Sequence, residues 1–213
     1  MKPPRQLAQR FSQLFIGLIL YGIGIAFMLR SALGIAPWDV LAQGVSKHTG
    51  LSFGVMISLI SVVVILFWIP LKQKPGIGTL LNGTIVGPIA DIVLIYLPPT
   101  ELIWLQIIYL ASGIILIGVA TGIYIGTHLG PGPRDGLMTG ISSKFNQPIW
   151  LVRTLIEGTA LLTGWLLGGM FGVGTVAFAL TIGPICQFTL PLFDRGRRYA
   201  KKNPLPEASP EAA

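Results

Sequence analysis

Gly34-Ile35-Ala36-Pro37-Trp38-Asp39 and Gly130-Pro131-Gly132-Pro133-Arg134-Asp135 are two copies of one signal, 96 positions apart. Each follows a long apolar run and opens a short, partly polar segment ending near Ser46 or Ser142. Glycine and proline stop the preceding helix, and a proline then occupies the first turn of a new one. The acidic residue two places on suits the positive end of that new helix. The same offset recurs far outside the motif. Gly17 answers to Gly113, Gly22 to Gly118, and Leu41, Gly44 and Ser46 to Leu137, Gly140 and Ser142. Gly76-Ile77-Gly78-Thr79 answers to Gly172-Val173-Gly174-Thr175, and Gly87-Pro88 to Gly183-Pro184, with no gap anywhere. Single glycine matches arise by chance in a glycine-rich chain, but this ungapped register does not. The sequence is an internal duplication.

Hydrophobic residues make up 52% of the chain and charged residues 11%, against about a quarter charged in soluble domains. Six apolar runs approach the length needed to cross roughly 30 Å of hydrocarbon as helix. The composition therefore predicts an all-α, polytopic membrane protein. Its helices are expected over 11–29, 53–71, 77–97, 102–125, 148–167 and 173–193. Two short helices, 37–48 and 133–145, are expected to be re-entrant or interfacial, since twelve or so residues span only about 18 Å. The expected organisation is an N-terminal segment (1–10), a first membrane repeat (11–97), a linker (98–101), a second repeat (102–193) and a basic, disordered tail (194–213). Met1 to Leu29 imitates a secretory signal, but the duplication equates it with the internal run 108–125, so it reads as a permanent helix. The single Cys186 excludes an intramolecular disulfide and reads as a packing residue.

The net charge of +7 does not point to nucleic acid, because the basic residues sit mostly in connections and tails. That distribution is the one the positive-inside rule describes. With six crossings, twelve of the fifteen Lys and Arg residues fall on the cytoplasmic side, together with both chain ends. A cysteine at Lys144, in a chain lacking Cys186, should react with a polar thiol reagent only after permeabilisation. One at Thr100 should react in intact cells, and reversed labelling would refute the orientation.

Three crossings per repeat is an odd number, so the halves should enter the membrane in opposite directions. Inverted repeats whose interrupted helices meet near the midplane recur in secondary transporters. Residues 12–97 should then superpose on 108–193 by a rotation near 180° about an axis in the membrane plane.

At these strings the chain resembles the YczE/YyaS/YitT group of bacterial integral membrane proteins. The resemblance rests on Leu33-Gly34-Ile35-Ala36-Pro37-Trp38-Asp39-Val40-Leu41, Gly76-Ile77-Gly78-Thr79 and Gly130-Pro131-Gly132-Pro133-Arg134-Asp135-Gly136-Leu137. It covers nearly everything but the tail. It implies a multi-pass inner-membrane protein and supplies no mechanism.

The candidate site residues follow from the duplication. Asp39 and Asp135 read either as helix-start carboxylates satisfying free backbone N–H groups or as lining of a central cavity. Their neighbours break the symmetry, Trp38 in one copy and Arg134 in the other, and an arginine fork binds carboxylate or phosphate. Arg134 reads equally as an ordinary cytoplasmic charge. Arg153 and Glu157 stand one turn apart in a span, where lipid is costly for charge, and their equivalents Ile57 and Ser61 are neutral. The pair reads either as mutual neutralisation, although Arg before Glu is the less favourable order on a helix, or, with Asp91, as the candidates for ion coupling. Gly118, Gly122 and Gly126 form a four-residue stripe suited to close packing at the interface between repeats. Gly87-Pro88 and Gly183-Pro184 should kink their helices, serving packing or a hinge.

No phosphate loop, Ser-His-Asp set or metal-ligand spacing is present in the sequence, so neither an enzyme nor a cofactor or metal is expected. Two functions remain. One is a small carrier for a polar or zwitterionic organic solute. The other is a scaffold or regulatory component acting through a homodimer or a partner protein. Ionisable groups within the spans favour the carrier.

Overall fold

The computed structural model describes residues 4–194, and among them it contains helices and no strand. In chain order these are α1 (Pro4–Ser31), α2 (Pro37–Thr49), α3 (Phe53–Leu66), α4 (Ile77–Tyr96), α5 (Ile103–Ile125), α6 (Pro133–Phe145), α7 (Ile149–Leu166) and α8 (Val173–Phe193). Most of the expected tail, residues 195–213, lies outside the described residues. Two boundaries differ from expectation. α1 begins at Pro4 rather than Phe11, since the stretch after Pro4 holds no glycine or further proline to break the helix before the apolar run begins. α3 ends at Leu66 rather than Leu71, because Pro70 lacks an N–H and its ring crowds the carbonyl four residues back. The chain winds on from Phe67 to Lys72 as successive turns.

Four helices, α1, α4, α5 and α8, are long and apolar enough to cross a membrane. α2 and α3, joined through a 113° bend, make a fifth span if taken together. α3 alone has 14 residues, about 21 Å of helix, and the hydropathy of α7 is lowered by Arg153 and Glu157. The protein is thus a helical membrane protein.

α1 and α5 form its centre. They run antiparallel, with Gly17 against Tyr124 and Gly24 against Gly113 and Ile117. Each carries the last helix of its own half: Gly22 of α1 admits Ile89 of α4, and Gly118 of α5 admits Ile185 of α8. The glycine stripe therefore packs, but against α8 rather than across the repeats, Gly122 meeting Thr189 and Gly126 meeting Phe193. The short helices do cross over, α2 packing on α7 and α6 on α3.

The loops before the short helices repeat in fine detail. Gly34 has φ 128° and Gly130 φ 130°, a region that only glycine enters readily. The Gly174 N–H donates to Leu33 O at 2.8 Å, and the Gly78 N–H to Leu129 O at 2.9 Å. Ser31 Oγ donates to Met28 O and Thr127 Oγ1 to Tyr124 O, both at 2.6 Å. Each half thus holds the other's breakpoint, and the 96-residue register survives as matched hydrogen bonds.

The halves differ at their outer crossings. Gly54 of α3 lies on Gly87 of α4 so closely that neither has room for a Cβ. In the second half α7 makes little contact with α8, Gly183 faces open space, and the position matching Gly54 is Trp150. A second difference lies beside the short helices. A Cβ on Gly164 would meet the backbone of Val40 and Leu41, whereas the matching positions are Trp68 and Gly136, with the indole filling the glycine's space. Pro88 and Pro184 both lie inside uninterrupted helices.

Candidate functional site

The starts of α2 and α6 meet. Asp39 is the third residue of its helix and 2% exposed, and it makes no cap bond. Its Oδ1 instead accepts from Arg134 Nη2 at 2.9 Å. Arg134 also lies over the Trp38 ring, 5.4 Å from its centroid, within range of a cation–π attraction. The adjacent residues Trp38 and Asp39 of one copy thus clamp the arginine of the other. The positive end of α2 favours the carboxylate, and the carboxylate offsets the guanidinium. The Trp38 indole N–H is buried and has no acceptor among the described residues.

Asp135 has different company. The Tyr124 hydroxyl donates to Asp135 Oδ2 at 3.2 Å, and Tyr124 meets Tyr21 edge-on, with centroids 6.1 Å apart at 75°. Among the described residues no cation pairs with Asp135. A cavity of about 290 Å³ joins these groups, at the small end of ligand pockets.

Arg153 and Glu157 line the same cavity, paired through Nε and Oε1 at 3.0 Å on one face of α7. Arg153 acts electrostatically on Asp135 as well. The matching residues Ile57 and Ser61 also line it, as do Tyr21 with Ile117 and Asn82 with Phe178. The walls are therefore equivalent positions from both halves whose chemistry has diverged. Ionisable side chains come chiefly from the second half.

Asp91 does not join them. Its carboxylate accepts from the Gly54 N–H at 2.8 Å and from the Ser52 hydroxyl, so it caps the start of α3 beside the Gly54–Gly87 contact. Of the six charged side chains singled out from sequence with Trp38, the fold brings five together and sends Asp91 elsewhere. Cys186, read as packing, lines the cavity. Tyr21 and Tyr124 carried no sequence signal, since a tyrosine in an apolar span looks like any membrane aromatic. The one available hint was that Tyr124 falls eleven residues before Asp135.

A family model described as "Family of unknown function (DUF6198)" matches residues 8–191. An uncharacterised protein of Haemophilus influenzae is 42% identical over 184 residues, covering 86% of this chain and 84% of that protein. The uncharacterised membrane protein YczE of Bacillus subtilis is 34% identical over 189 residues, 88% of each chain. YyaS of the same organism is 29% identical over 192 residues, 88% of this chain and 94% of its own. No solved structure matches. With the duplicated motif lying wholly within the matched residues, the chain belongs to the DUF6198 family, alongside YczE and YyaS.

Proposed function

We propose that this protein is a small secondary carrier for a polar or zwitterionic organic solute, and not an enzyme. In this reading six helices cross the bacterial inner membrane, both chain ends are cytoplasmic, and residues 11–97 and 102–193 are inverted repeats. α2 and α6 are then re-entrant from opposite faces. One observation carries it. The interrupted helix of each half begins at the same cavity, where Asp39 of one is joined to Arg134 of the other. Carriers built this way place solute at such paired helix starts. Ionisable groups turned inward are costly in lipid and have little use in a passive scaffold.

Uptake into proteoliposomes, screened over amines, amino acids, peptides and small anions, tests the reading. Asp39→Asn and Asp135→Asn should each abolish uptake of any solute found, while the protein still folds and inserts. Full activity in both variants would leave the two aspartates as structural residues and remove the central site.

A further inference from the structure

We infer that the ligand of this cavity is a small organic monocation whose ammonium group sits at Asp135. The inference rests on the carrier reading only in taking the cavity to hold a solute. The charges decide its sign. Arg134 is matched by Asp39 at 2.9 Å and Arg153 by Glu157 at 3.0 Å. Asp135 is the third acid at the site, and its hydrogen-bonded side-chain partner is a neutral phenol. The cluster thus carries one negative charge more than it carries positive. Arg153 and Arg134 act on Asp135 from beyond salt-bridge distance, and an ionised carboxylate in a bundle without a cation in contact is disfavoured. A ligand with one positive charge evens the balance, whereas a zwitterion leaves it as it was and an anion worsens it.

The surroundings of Asp135 select the kind of cation. Tyr124 touches the carboxylate and Tyr21 stands against Tyr124, so aromatic surface borders the acid. Such surface attracts alkylammonium groups. Calcium and magnesium take about six or more oxygen ligands and zinc about four from Cys, His, Asp or Glu, and the described residues contain no group of three His, Cys, Asp or Glu able to hold a metal ion. The volume of about 290 Å³ admits a small molecule. A small amino alcohol is a molecule of this size and charge.

The test is calorimetric titration of the full chain in lipid nanodiscs at pH 7 with 2-aminoethanol, glycine, acetate and sodium ion. Saturable binding of 2-aminoethanol is expected, with glycine and acetate weaker by about tenfold or more. Asp135→Asn should weaken 2-aminoethanol by about tenfold or more, and Asp135→Glu by no more than about threefold. If Asp135→Asn does not fold, carbodiimide labelling of Asp135 in the unaltered protein replaces it, and after removal of the reagent 2-aminoethanol binding should be weakened by about tenfold or more. Glycine binding as tightly as the amine, sodium filling the same site, or no amine binding at all would each overturn the inference. Those results leave the carrier reading standing, because uptake is measured separately. Amine binding without uptake of any solute would sink the carrier reading and leave this one.

Discussion

Arg134→Gln should destabilise the fold by about 3–5 kcal/mol, the range for removing one partner of a buried ion pair. The reason lies with the partner. Asp39 is 2% exposed, so the substitution strands a carboxylate that water cannot reach. Asp39→Asn should be far milder, since the Arg134 side chain keeps 27% exposure towards the cavity and can be hydrated there. The double variant Arg134→Gln with Asp39→Asn should recover much of the loss. Thermal unfolding in detergent, with folded yield as the second readout, measures all three. Equal losses from the two single variants would show that the pair is not buried on one side as described.

A second large effect is expected where the duplicated halves disagree. Gly54→Ala places a methyl against the Gly87 carbonyl, and no side chain is there to move aside. Overpacking of this kind costs about 1–3 kcal/mol, and a clash with backbone on both helices belongs at the top of that range. Gly183→Ala adds the same methyl at the position equivalent to Gly87, where nothing lies within 4 Å. It should change stability by no more than about 0.5 kcal/mol. The same measurement covers both, and a comparable loss at Gly183 would mean that α7 and α8 pack as α3 and α4 do.

Much of this architecture was legible because it depends on backbone rules. Proline after a glycine marks the start of α2 and of α6, and both helices begin where those residues predict. The repeat register was legible because glycines at loops and helix crossings answer to geometry, which both halves share. α3 was overextended because an apolar run was read to its end although Pro70 stops the helix earlier. The site was legible at Trp38, Asp39, Arg134 and Asp135, where motif and symmetry coincide. It was not legible at Tyr124, whose role comes from a hydrogen bond made across the loop between α5 and α6. Asp91 is the converse case. An acid within an apolar run suggests ion handling, but a free helix start 37 residues earlier uses it instead.

The glycine-on-glycine contact of α3 and α4 also limits what the duplication permits. Two copies of one ancestral unit begin with equal freedom, and either can adopt any pose the other holds. Here residue 54 is glycine and its counterpart, residue 150, is tryptophan. The second half therefore lacks at that position the glycine on which the backbone-to-backbone seal of the first depends. The first half, in turn, cannot part without giving up both the glycine seal and the Asp91 cap. Trading poses between the halves is closed to this molecule. Its ancestry is symmetric but its seals are not: α3 closes on α4 within its own half, whereas α7 closes on α2 of the other.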